Sequence, residues 1–164
     1  GDRLHPSGRR GRRSAHTRYG DFVLMEQRYW DDVEEPLEIG LDEEMSSQRL
    51  VVWAAASGDY YAIHYDDCFA KQTGLPGIIV HGALKGMLVG RLLDELAGDE
   101  GRIVRWKVSY RGMDEAREDL RVWARVTKKY VEAGEGRLDM DVGVLGAGSQ
   151  ETTPGTATVA LPRR

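Results

Sequence analysis

A single cysteine, Cys68, in 164 residues leaves nothing to pair with, so an internal disulfide framework is excluded and a reducing, cytoplasmic setting is expected. No apolar run is long enough to span a bilayer. The longest, Ala83 to Ala97, carries Lys85, Arg91, Asp94 and Glu95, and no membrane partner is expected. The start lacks the order of basic, apolar and small-residue segments that marks a secretory signal, and no repeat of fixed period runs through the chain. Acid is scarce at the beginning: residues 1–20 hold Arg3, Arg9, Arg10, Arg12, Arg13 and Arg18 against Asp2 alone. A basic arm for nucleic acid or an organelle transit segment are two uses of such a stretch. The remainder of the chain is acidic and extends no basic footprint, so no nucleic-acid partner is expected; a transit helix would need an apolar stripe that is missing. Residues 1–24 therefore read as a disordered Arg-rich leader ahead of Met25, and residues 25–164 as one domain with room for a core.

Hydrophobic period divides that domain. Leu37, Ile39 and Leu41 alternate with Glu38, Gly40 and Asp42, a short half-buried strand. Ser46-Ser47 caps a helix over Gln48–Ala56 that Gly58 can end, and a second short helix spans Asp66–Thr73 before Gly74. The longest helix runs from Gly82 to Leu96, closed by Gly98, and is apolar nearly all round, which predicts burial. Gly82, Gly86 and Gly90 form one bare stripe along it, predicting close approach of a neighbouring backbone or of a bound ligand chain. After Gly101 the period is two: Ile103–Arg111, Leu120–Thr127, Arg137–Val144 and Ala157–Leu161 read as an antiparallel meander, with Trp106 and Trp123 as sheet packing. A hairpin centred on Gly134 sets Tyr130 opposite Leu138, Val126 opposite Val142 and Lys129 opposite Asp139. A sheet curled around one apolar helix buries both, so the fold class is α+β: this is the order of the hot-dog fold, an antiparallel β-sheet wrapped around a long central α-helix.

The chemistry concentrates between residues 56 and 82. Asp59 and His64 lie on a stretch introduced by Gly58, and a second segment ends in His81-Gly82 where the buried helix opens. A carboxylate and an imidazole beside a helix N-terminus can move protons while backbone N–H groups hold a developing anion. Singly, Asp59 reads as a loop or cap residue and His64 as a satisfied polar one; together with Gly58, Ile63 and His81-Gly82 the catalytic reading is the better. Tyr60, Tyr61 and Tyr65 either line an acyl tunnel or cap the core. His81 reads as a loop-ordering residue more than as a catalyst. By residue type His64, Asp66, Cys68 and His81 could ligate a metal, but they lack paired ligand spacing, and no metal or cofactor is expected.

Ala56-Ser57-Gly58-Asp59-Tyr60-Tyr61-Ala62-Ile63-His64-Tyr65-Asp66 resembles the signature of the MaoC-like dehydratases and (R)-specific enoyl-thioester hydratases, commonly Ser-Gly-Asp-x-Asn-Pro-Ile/Leu-His-x-Asp. Ile79-Val80-His81-Gly82 resembles the family's second landmark, and the likeness runs from about Leu37 to Leu161. It implies a hydratase or dehydratase interconverting 2-enoyl and 3-hydroxyacyl thioesters of coenzyme A or acyl carrier protein. It further implies that Asp59 and His64 hold and activate the water, with the Gly82 amide polarising the thioester carbonyl. Tyr61, Ile63, His81 and Gly86 are the candidate substrate-binding residues around them. Two positions depart from the pattern, Tyr61 for asparagine and Ala62 for proline. The other function class is a non-catalytic hot-dog subunit that binds the acyl chain in a heteromeric dehydratase; retention of Asp59 and His64 favours the enzyme. Hot-dog thioesterases act on the same ligands, but this loop signature points away from them. The resemblance also implies a homodimer, or a heterodimer with a related hot-dog subunit, sheets joined edge to edge and the ligand between protomers.

Overall fold

The computed structural model describes residues 27–164; the Arg-rich leader expected over residues 1–24 lies outside them. The elements in order are β1 (Glu38–Glu44), α1 (Ser47–Ser57), α2 (Asp67–Gln72), α3 (Gly82–Ala97), β2 (Arg102–Val108), β3 (Asp119–Glu132), β4 (Glu135–Leu145) and β5 (Glu151–Leu161). The helices fall where periodicity and caps place them. Ser46 accepts from the Arg49 amide at the head of α1, and Gly58 closes that helix in the left-handed region with φ 78°. Asp66 caps α2 by accepting from the Phe69 amide. Among the described residues no helix is long and apolar enough to cross a membrane.

One five-stranded antiparallel sheet, ordered β1-β3-β4-β5-β2, curls around α3. The expected simple meander needs correction, because β2 does not lie beside β3. Residues 109–118 carry the chain across the sheet's end, and β2 pairs instead with β5 at the far edge. The β3–β4 register also differs from expectation. Both Ala133 (φ 51°) and Gly134 (φ 83°) take left-handed conformations, which makes a two-residue hairpin turn pairing Glu132 with Glu135. Centring the turn on Gly134, half a residue further on, misplaces every pair by one, and an irregularity between Val126 and Lys128 adds a second step. Tyr130 therefore faces Arg137, Val126 faces Met140, and Lys128, not Lys129, faces Asp139.

The core lies between α3 and the concave face of the sheet. Leu84, Leu88, Leu92 and Leu96 recur every fourth residue on α3, with Val89 and Leu93 beside them, all buried. They meet Leu120, Val122, Ala124 and Val126 of β3, Leu138, Met140, Val142 and Val144 of β4, and Ala157, Val159 and Leu161 of β5. Among the described residues, side chains and not a neighbouring backbone approach the glycine stripe of α3. A Cβ on Gly82 would touch the Tyr110 ring at 3.4 Å, one on Gly86 would sit 2.7 Å from the Tyr110 hydroxyl, and one on Gly90 would touch Trp106 at 3.4 Å. The stripe is a seat for two aromatic side chains on and just after β2.

Leu88 is fully buried at the middle of this contact. Leu88→Ala should cost about 2–5 kcal/mol, the usual range for an unfilled leucine site. Urea unfolding should show a lower midpoint at unchanged slope; a midpoint within error of the parent would mean that α3 is not the centre of the core.

Candidate active site

The loop after α1 is built by short hydrogen bonds of its own side chains. The Asp59 amide donates to Ser57 Oγ at 3.2 Å, and Asp59 Oδ1 accepts from the Tyr61 amide at 3.3 Å. The Tyr65 hydroxyl donates to the Tyr60 carbonyl at 3.1 Å and closes the loop. A single helical turn, Ala62–His64, then drives His64 inward. The Asp59 side chain stays about half exposed, while His64 is buried.

His64 Nδ1 lies 2.8 Å from the Ile79 carbonyl. A carbonyl only accepts, so Nδ1 carries a proton, and in the neutral ring Nε2 then keeps its lone pair. That lone pair lies 4.0 Å from Asp59 Oδ2. The sequence separation between the two motifs is thus closed through the backbone. Ile79 accepts from the His64 ring, and its amide donates to the Ile63 carbonyl at 3.1 Å. Ile63 enters the site through this carbonyl.

His81 stacks on His64 with ring centroids 3.7 Å apart and planes 19° from parallel. It is wholly buried; its Nε2 donates to the Asp59 carbonyl at 3.3 Å, and its Nδ1 has no partner among the described residues. Burial, and next the neighbouring His64, push the His81 imidazole below its ordinary 6.5. It is therefore a neutral ring near neutral pH, bonded to the loop at Asp59. Asp59, His64 and His81 each present one ligand atom within 4.8 Å of the others, and these are the described residues that could hold a metal ion. Asp66 caps α2 and Cys68 is exposed on it, so the other two ligand types take no part in that cluster.

His81 is also the residue at the head of α3, and no side chain caps that helix. The first amide with an acceptor is that of Lys85, which donates to the His81 carbonyl at 3.3 Å. Those of Gly82, Ala83 and Leu84 have no acceptor among the described residues, which leaves an anion-ready helix start beside the His64–His81 stack. Tyr61 is half exposed, its ring edge-on to His64 at 6.4 Å and to Phe69 at 6.0 Å. Gly86 lies one turn into α3 under the Tyr110 hydroxyl, so a ligand reaching it would first displace that ring. Tyr110 is the site neighbour that the sequence reading passed over; the signal was an aromatic at the end of an alternating strand in a chain with three helix glycines in register.

The depressed His81 gives a signed pH effect. The unfolded chain takes up this proton at a higher pH than the folded one, so the group's stability contribution is complete above about 6.5 and is lost as pH falls through the folded value. Melting temperatures taken over a pH series should fall more steeply on the acid side of 6.5 for the parent chain than for His81→Gln. Parallel curves would show that His81 is not the buried neutral group described.

The model of the MaoC like domain family matches residues 30–145. The fatty acid synthase beta subunit hexB of Dothistroma septosporum is 33% identical over 72 residues, 43% of this chain and 4% of that protein. The chain spans only a small part of the length of the curated relatives it matches. The unliganded R-hydratase PhaJ1 from Pseudomonas aeruginosa superposes with a TM-score of 0.75 at 21% identity, covering 83% of this chain and 86% of that one. A chain of the ChsH1-ChsH2 complex from Mycobacterium tuberculosis gives 0.66 at 19% identity, covering 77% and 96%. At these identities the two structures speak for the fold, the hot-dog fold. The family match takes in both the Asp59–His64 loop and the His81-Gly82 helix start, and on that ground the chain belongs to the MaoC-like dehydratase family.

Proposed function

We propose that the chain is a hydratase or dehydratase acting on 2-enoyl and 3-hydroxyacyl thioesters of coenzyme A or acyl carrier protein, with Asp59, His64 and the Gly82 amide as its working groups. The observation that carries this is the 4.0 Å between His64 Nε2 and Asp59 Oδ2, next to a helix start with free amides. Two acceptors at that separation can hold one water between them, each about 2.8 Å from its oxygen. The water spends both protons on the pair and turns a lone pair toward the substrate. When the thioester carbonyl sits on the Gly82 amide, attack at the β-carbon forms the new C–O bond and sends the π electrons through the α-carbon to the thioester oxygen. That oxygen becomes enolate-like, and each donor it meets is worth about 3 kcal/mol. One proton passes from the water to the pair, and one passes from the pair to the α-carbon, so the pair ends as it began. Dehydration is the same path reversed, and no step calls for a metal or cofactor. Tyr61, Ile63, His81 and Gly86 surround the substrate in this reading, with Ile63 and His81 acting through the loop they hold. An exposed, unpaired Cys68 agrees with a cytoplasmic enzyme.

Asp59→Asn and His64→Gln should each lower turnover about 10²–10⁴-fold with the fold intact. Crotonyl-coenzyme A hydration, followed alongside circular dichroism, measures both at once. A double variant as active as the parent would sink the assignment.

The partner is a second hot-dog unit, either another copy or a related subunit. Among the described residues one edge of strand β2 is unpaired, and Val104, Trp106, Tyr110 and Met113 on and after it, with Met87 of α3, are large apolar side chains left exposed. A second sheet laid along this edge would cover them and wall an acyl tunnel. Light scattering should give a dimer at micromolar concentration; an active monomer there would rule the pairing out. A dimer active only when mixed with a related subunit selects the heteromer.

A further inference from the structure

Lys85 stands on the first turn of α3 and is 1% exposed, where both burial and the positive end of the helix dipole disfavour an ammonium group. Its three hydrogen-bond partners account for its presence. Nζ donates to Asp114 Oδ2 at 2.6 Å, to the Gly112 carbonyl at 2.9 Å and to Thr152 Oγ1 at 3.5 Å. Thr152 in turn donates to the same Asp114 oxygen at 2.8 Å, and Asp114 and Thr152 are 3% and 2% exposed. The space is made for the acid: a Cβ on Gly146 would collide with the Asp114 carboxylate.

Asp114 reaches the helix start from the other side as well. Its carbonyl accepts from the Val80 amide at 2.8 Å, the neighbouring Glu115 bridges Ile79, and the Ala116 amide donates to the Ile78 carbonyl at 2.9 Å. One residue therefore grips the segment before Gly82 through its backbone and the turn after Gly82 through its side chain. Ile79, inside that gripped segment, is the acceptor that fixes the His64 ring. We propose that the buried Lys85–Asp114–Thr152 cluster is the positioning device of the site, aiming the Gly82 amide and holding His64 in its Nδ1–H form. The inference rests on the acid–base reading above. None of the three side chains touches substrate; they act through Gly82 and His64. Packing alone would need shape at these positions, whereas positioning needs the directional bonds.

The test removes the bonds and keeps the shape. Deleting one charge would strand the other, so the variant is Lys85→Met/Asp114→Leu, an apolar pair of similar volume. Relative to the parent, crotonyl-coenzyme A hydration should show kcat lower by about 10- to 100-fold, the usual cost of a misplaced group, with KM nearly unchanged. Nitrogen-15 NMR of the histidines gives a readout independent of turnover. The parent should show His64 protonated at Nδ1 alone, and the variant a mixture of tautomers. Should the double variant fail to fold, Thr152→Val removes the 2.8 Å bond to Asp114 while keeping the side-chain shape, and the same two readouts apply in the same directions. A kcat and a His64 spectrum both equal to the parent's would overturn the proposal. Absence of crotonyl-coenzyme A activity in the parent would count against the hydratase reading, and the spectrum alone then decides the positioning role.

Discussion

Helix α3 begins without a side-chain cap, between a buried His81 and an exposed Ala83, and that single constraint organises everything around it. The first amides of a helix have no partner within it and need water, a cap or a ligand to satisfy them. Here the usual remedy, a serine, threonine or aspartate accepting from the first turn, would occupy the very groups that an anion needs. Position 81 holds a histidine instead, whose ring turns away to stack on His64 and bond the Asp59 carbonyl. The helix is then held by means other than a cap: apolar packing of its leucines against the sheet, and the polar ties that run from its first turn into the 112–116 segment. Stability is supplied away from the amides, and no side chain occupies them.

The loop that bears Asp59 solves a related problem with unusual residues. The family pattern places asparagine and proline where this chain has Tyr61 and Ala62, and both of those would stiffen a turn. In their absence the stiffness comes from Ser57, from Asp59 itself and from Tyr65, each closing a bond within the loop. Asp59 uses Oδ1 on the Tyr61 amide, which leaves Oδ2 as the oxygen toward His64. The tyrosine ring at 61 lies edge-on to His64 and Phe69, a wall where the asparagine amide would have been. The Asp59–His64 spacing is thus held by bonds within the loop and by the Ile79 carbonyl.

Much of this was legible in the sequence. Period and caps placed the three α-helices almost to the residue, because Ser46, Asp66, Gly58 and Gly98 are local signals with local causes. The family motifs brought Asp59, His64 and Gly82 together before any coordinates did, and the family match bears that resemblance out. What could not be read was long-range or fine-grained. The place of β2 beside β5 depends on where a ten-residue connection crosses, which no alternation pattern encodes. The hairpin register turned on Ala133 taking a positive φ, where an alanine gives no warning. The Lys85–Asp114 pair was hidden for a similar reason: one lysine in an apolar helix looks like a solvent-facing residue until its partner, 29 residues on, is seen beside it.

The glycine stripe shows how a correct inference about space can miss its occupant. Three glycines in register do mean close approach, and the sheet supplies it, but with aromatic rings and no backbone. Tyr110 and Trp106 lie over α3 while remaining about half exposed, at 55% and 45%. A ring seated in a groove yet open to water on its other face covers apolar surface on one side and offers it on the other. The seat also fixes how far Tyr110 can move toward the start of α3, since its ring meets Gly82 and its hydroxyl meets Gly86. A side chain on either glycine would push that ring outward, away from the helix and into the space along the free edge of β2. The bare stripe therefore sets how closely the Tyr110 and Trp106 rings lie on α3, and with that the shape of the apolar surface beside β2.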